Sequence, residues 1–364
     1  MLYSYLLGLT SFTVTAVAAA STKRGLRSSR NLRENNDELL DYFKSANSFM
    51  ISDEDADSTE RFNMKLVNVG DNTEFDSVFA AAAARWEEII VGDVLDFPAQ
   101  DDADFDWFGG YFGEEYSYNK AVDDVVIGYA FRPGSYFPRN TILGHASPIY
   151  IRSHDTDRWS PPMQAVSGIM EFNTDLIKGE GYTENDLKLI IIHEMGHVLG
   201  IGGHYWRHAC ATECFASLSN NGDYTLDDDA YRCSSAQTEY YNLGLKAAAS
   251  GAHLLVNHQG SLGNVCGHWA ESSFTVNGVS SELMTPFFEE GIAQPLSTVS
   301  IGALEDIGYT VNMDAADEFP DAALEETNRR LFQTGHVPIA PDHTFDLAVL
   351  MDHSLDDDVR VMLM

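Results

Sequence analysis

His193-Glu194-Met195-Gly196-His197 sets two imidazoles four residues apart, with a carboxylate beside the first. On a helix this spacing puts both histidines on one face, one turn apart. Each can then give a ring nitrogen to a single Zn2+ at about 2.0–2.1 Å. Glu194 is placed to reach a water on that ion. Zinc lowers the pKa of such a water to about 7, so a carboxylate can take its proton while the oxygen attacks a carbonyl. The chemistry needs a third ligand. The chain offers His204, His268 and two downstream carboxylates, Glu271 and Glu282.

The pentapeptide has to be helical, and its flanks agree. Thr183 is a cap, and Leu187, Ile190, Ile191, Val198 and Leu199 supply apolar positions on both sides of the histidines. Gly200 and Gly202-Gly203 allow the turn that ends the helix and turns the chain away. Upstream, Phe62, Met64 and Leu66 alternate with polar residues, as in a strand with one buried face. Thr73 can cap a second helix, whose Phe75, Val78, Phe79, Ala82, Ala83, Trp86 and Ile90 share a face before Gly92 stops it. Residues 125–131, 148–152 and 167–172 read as further strands, and Leu296-Ser297 opens a helix with Ile301, Leu304 and Ile307 inward and Gly308 as its stop. Residues 101–115 read as a solvated acidic and aromatic loop. Its Asp102-x-Asp104-x-Asp106 spacing has Trp107 where a calcium loop requires Gly. Strands interleaved with a few long helices, without an internal repeat, give an α+β class.

The 364 residues carry 56 acidic and 22 basic side chains, a formal charge of −34. This excludes nucleic acid and anionic membrane surfaces as partners, since both need a basic footprint. Residues 6–20 are apolar or small and end Ala18-Ala19-Ala20-Ser21, the pattern of a secretory signal peptide over 1–20. No later apolar run approaches the roughly 18–20 residues of a membrane span, so the mature chain is expected to have no transmembrane segment and to be secreted. Lys23, Arg24, Arg27, Arg30 and Arg33 crowd the start of 21–60, a charge shift that marks a flexible arm or removable pro-segment. Cys210, Cys214, Cys233 and Cys266 are an even set in an exported chain and read as two disulfides, with three pairings open. They staple residues 204–265, a long polar stretch that reads as an insertion. Residues 313–364 form an acidic tail expected to add little core.

The offsets of His193, Glu194, His197 and Gly200 resemble the metzincin zinc peptidases, whose third His should fall at 203, where this chain has Gly203. The leishmanolysin branch of that family is similar in placing a long insertion before a His-Trp ligand and a Glu-Leu-Met turn. Here His268-Trp269 stands 71 residues after His197, and Glu282-Leu283-Met284-Thr285-Pro286 follows. Asp123-Asp124-Val125, residues 143–148, residues 168–172 and the helix from Leu296 extend the similarity over about 60–312. The resemblance implies a metzincin-like catalytic domain at 61–312, with a twisted mixed sheet, an active-site helix and a Met-turn. It implies His193, His197 and His268 as zinc ligands, Glu194 as general base, and Met284 as a hydrophobic floor that does not bind the metal. The implied activity is a secreted zinc endopeptidase acting on protein or peptide substrates. The competing reading is a zinc-stabilised adhesion or recognition module that has lost catalysis. His145 is read as structural.

Overall fold

The computed structural model describes residues 61–319, apart from 71, 101–104, 138–141, 153–161, 180, 204–205, 212–213, 215–229, 246–252, 258–264, 277–278, 281 and 289–292, together with 2–4 and 361–363. Most of the expected signal peptide, all of the arm and most of the C-terminal tail lie outside these residues.

Val125-Val126-Ile127 is a run of β-branched residues buried on both sides, and it lies at the centre of a mixed sheet. Strand β1 (Met64–Asn68) runs parallel to β2 (Val125–Arg132), with Met64 opposite Val125. Strand β4 (Ala165–Asn173) continues the parallel order on the other side of β2, with Val126 opposite Ser167. Strand β3 (Ile142–Arg152) then pairs antiparallel with β4, placing Gly144 opposite Phe172 and His145 opposite Glu171. Its register shifts between Pro148 and Ile151, where proline has no N–H for the ladder. The tripeptides Leu2–Ser4 and Val361–Leu363 also pair with β3. The expected strand at 148–152 therefore begins six residues earlier. The mixed sheet with flanking helices is compatible with the α+β expectation.

Helices α1 (Asp76–Ile89) and α3 (Glu184–Leu199) cover one face of the sheet. Phe79 stacks on Tyr129 at 3.8 Å between ring centroids, and Trp86 donates its indole N–H to the Ile192 carbonyl at 3.1 Å. Thr73 is not the cap of α1. Phe75 holds that position, and the Asp76 carboxylate is engaged by Tyr129 Oη at 2.7 Å and Asn68 Nδ2 at 2.8 Å. Gly168 lets α3 lie directly on β4, since a Cβ there would meet Val198 Cγ1 at 2.3 Å.

The opposite face is covered by the aromatic loop expected to be solvated. Trp107 and Phe108 are completely buried against Val126, Ala130, Val166 and Ile169. Asp102 and Asp104 lie outside the described residues. Asp106 accepts from the backbone N–H groups of Phe108, Gly110 and Tyr118, so it shapes the loop.

The short helix α2 (Thr174–Gly179) follows β4, and α4 (Ser234–Asn242) packs on α5 (Thr298–Ile307) beyond the sheet. Past residue 312 the chain still contributes core. Phe319 sits 5.9 Å from Phe274 between ring centroids, and Asp317 ties Leu296 N–H and Arg85 together. Those two bonds fix the first residues of the tail against the domain. None of the described helices is long and apolar enough to cross a membrane.

Candidate metal centre

Helix α3 begins at a reciprocal cap: the Thr183 hydroxyl accepts from Asp186 N–H, and the Asp186 carboxylate accepts from Thr183 N–H. It ends at Gly200, whose φ of 121° is open to glycine and costly for other residues. Between these ends, residues 190–199 are buried on every side, because the sheet lies beneath and α1 beside them. Gly196, between the two histidines, leaves room for Met284: a Cβ there would fall 2.9 Å from Met284 Sδ.

After Gly200 the chain turns sharply. Gly202, at φ 72°, packs so tightly on Gly267 that a Cβ would sit 1.9 Å from its carbonyl oxygen. This contact joins the departing chain to the returning one, one residue before His268. Two disulfides hold the intervening segment, Cys210–Cys233 and Cys214–Cys266, which selects one of the three possible pairings. Asn257 N–H donates to His268 O at 2.8 Å, and Trp269 N–H donates to Met284 O at 3.1 Å. Trp269 itself stacks on Trp206 at 4.1 Å between centroids.

The outcome is a convergence of three buried imidazoles. The Nε2 atoms of His193 and His197 are 2.9 Å apart, those of His193 and His268 3.2 Å, and those of His197 and His268 3.1 Å. His193 Nδ1 faces the Leu283 carbonyl at 2.5 Å, and His197 Nδ1 faces the Ile201 carbonyl at 2.8 Å. A carbonyl can only accept, so both rings carry their proton on Nδ1 and present a lone pair at Nε2. Burial holds His193 well below its ordinary pKa, reinforced by His197 and opposed by the Leu283 bond. Burial also lowers His197, to about 4, so both rings are neutral at pH 7. Lone pairs crowded within 3.2 Å repel unless a cation stands between them. Nitrogens 2.9–3.2 Å apart can all lie about 2.0–2.1 Å from one ion. The three residues thus fit a metal ion.

Glu194 is also wholly buried, and neither of its carboxylate oxygens has a hydrogen-bond partner. Burial alone pushes its pKa well above the usual carboxylate range. Gly144 on β3 makes the space for it, since a Cβ there would lie 3.0 Å from Glu194 Oε1. Three Nε2 atoms this close suit a cation, and the buried carboxylate next to His193 on the helix has no hydrogen-bond partner among the described residues.

The other sequence candidates sort themselves. His204 lies outside the described residues. Glu271 is not grouped with the histidines, and the Glu282 carboxylate spends its oxygens on Met284 N–H and on Ser297 and Ser300. His145 points to the opposite face of the sheet, where Glu171 takes its Nε2 at 3.1 Å, Arg132 Nε at 2.6 Å and Tyr111 Oη at 2.9 Å. A second grouping, Asp93, Asp123 and Asp124, is structural: Asp124 accepts from Asn63 N–H and Val94 N–H. The roles of Gly144, Leu283 and Ile201 at the site cannot be read from their residue types, since two act through backbone carbonyls and the third through an absent side chain. No family model matches the chain, and no curated protein sequence matches it.

Proposed function

We propose that the chain is a zinc endopeptidase of the leishmanolysin-like metzincin type, acting on protein or peptide substrates. One observation carries the reading: three buried imidazoles converge their Nε2 atoms within 3.2 Å, and the residue next to His193 on the helix is a buried carboxylate with no hydrogen-bond partner among the described residues. A purely structural metal site has no use for that carboxylate, whereas hydrolysis needs a base at that place. A zinc ion held by His193, His197 and His268 would supply a Lewis acid and an acidified water. Glu194 would be the base that receives a proton at its carboxylate during hydrolysis. The Leu283 and Ile201 carbonyls keep His193 and His197 in the tautomer that presents Nε2. The turn holding Met284 lies against Gly196, under the helix segment that bears the two histidines, in keeping with a Met-turn. The two disulfides are compatible with secretion.

The test is casein digestion by the purified chain with and without a chelator, together with Glu194→Gln. The variant should retain stoichiometric zinc and lose about 10²–10⁴-fold in turnover, the usual contribution of a general base. Full activity in the variant removes Glu194 from its role. Zinc binding without any proteolysis by the wild type leaves the recognition module.

A further inference from the structure

Glu282 is a fully buried carboxylate that accepts four hydrogen bonds. Oε2 accepts from Met284 N–H at 2.5 Å. Oε1 accepts from Ser300 Oγ at 2.7 Å, Ser297 Oγ at 2.9 Å and Ser297 N–H at 3.2 Å. Ser297 is the N-cap residue of α5, and its hydroxyl, which makes no capping bond, donates to Glu282.

Two paths lead from Glu282 to the metal centre. Leu283 lies between Glu282 and Met284, the two ends of the bond to Oε2, and its own N–H donates to Pro295 O at 3.0 Å. Its carbonyl, so fixed, receives His193 Nδ1. On the second path Ser300 Oγ accepts from Trp269 Nε1 at 2.9 Å while donating to Glu282, and Trp269 directly follows His268.

We propose that Glu282 is a positioning residue that sets two of the three metal-holding histidines, His193 through the Leu283 carbonyl and His268 through Ser300 and Trp269. The inference rests on the histidine cluster being a metal site, and is independent of whether that site hydrolyses peptides. Each carboxylate oxygen faces a backbone N–H, Met284 at Oε2 and Ser297 at Oε1, and an N–H can only donate. A glutamine must turn its NH₂ toward one of them and so breaks at least one link.

The experiment uses the whole chain, zinc competition against a chromophoric chelator, and the visible spectrum of the cobalt-loaded protein. Glu282→Gln should weaken zinc about 10–100-fold, the usual cost of losing an outer partner of a ligand, and shift the cobalt bands. Ser300→Ala, a milder cut of the Trp269 path alone, should shift the bands with a smaller loss. Asp106→Asn is the structural control. That half-buried carboxylate accepts from Phe108, Gly110 and Tyr118 N–H in the loop on the other face of the sheet, so its loss should lower the melting temperature and leave the cobalt spectrum unmoved. Wild-type zinc affinity and cobalt bands in both Glu282→Gln and Ser300→Ala overturn the proposal, as does an Asp106→Asn spectrum that moves as far as theirs. His268→Ala separates the two levels: if it keeps wild-type zinc affinity, the metal-site reading itself falls.

Discussion

His268, the proposed third ligand, arrives on a chain that left α3 at Leu199, and among the described residues the Cys214–Cys266 bond is the covalent hold nearest to it. That bond joins residues 52 apart and ends two residues before His268. Replacing both cysteines by serine leaves no stray thiol. Loop-closure entropy for a loop of this length puts the loss of stability at about 4 kcal/mol. The same freedom must be removed when the metal draws His268 into place, so zinc affinity can fall by up to about 10³-fold, at 1.4 kcal/mol per decade. Part of the order survives through the Asn257–His268 and Trp269–Met284 backbone bonds and the Trp206–Trp269 stack, so the loss should fall between about 10-fold and that ceiling. The comparison is Cys210→Ser with Cys233→Ser. This bond joins residues 23 apart and should cost a similar 3–4 kcal/mol, roughly, by the same relation. It fastens the start of α4 to the departing chain and not to His268. Urea unfolding of the metal-free proteins gives the first quantity, and zinc competition with a chromophoric chelator gives the second. The two double variants should be alike in stability and unlike in zinc affinity. Equal zinc affinities, or a change below threefold on cutting Cys214–Cys266, would refute the idea that this disulfide pre-orders the ligand.

Glu171 should make stability depend on acid. Burial works to raise its pKa, but His145, Arg132 and Tyr136 outweigh burial and hold it at about 2, from an ordinary 4.5. A depressed carboxylate stabilises the fold fully above its unfolded pKa and loses that effect as pH falls through the folded one, so the advantage over Glu171→Gln should be about 3 kcal/mol at pH 7 and close between pH 4.5 and about 2. Denaturant curves of both proteins at pH 7, 4 and 2.5 measure this, and a gap independent of pH counts against the ionised cluster. Gly202→Ala should be far worse than Gly181→Ala: both have φ near +75°, but a Cβ at 202 strikes the Gly267 carbonyl while at 181 it meets nothing within 4 Å. The second should cost about 1–2 kcal/mol of backbone strain, and equal melting temperatures would show that the close approach of the two chains is not required.

Half of the metal centre was legible because it is local. Thr183, the apolar spacing and Gly200 specify α3, and helical geometry alone then brings His193 and His197 together. Phe62, Met64 and Leu66 likewise announce β1, and the 125–131 run announces β2, since period and β-branching are short-range signals. The misses are tertiary. Gly144-His145-Ala146-Ser147 has poor strand character, yet it pairs because Glu171 and Phe172 on β4 already present a ladder edge. The 105–118 loop is acidic enough to look solvated, but a sheet with buried residues on both faces must cover its second face, and Trp107, Phe108 and Phe112 are the cover.

His268 belongs to a third kind. Its local sequence has no helical or strand period that marks a ligand, and its choice over His204 rests chiefly on the resemblance carried by Trp269 and Met284. The structure supplies the missing physical reason in pieces that no local pattern could assemble. Gly202 on Gly267 joins the two chains, Cys266 pins the return, and Trp269 N–H takes the Met284 carbonyl. Each piece leaves a residue that looks ordinary alone: a glycine, one cysteine of four, a buried tryptophan. Together they remove the conformational freedom that a ligand 71 residues away would otherwise lose on binding, which is why a long insertion can separate the ligands without dissolving the site.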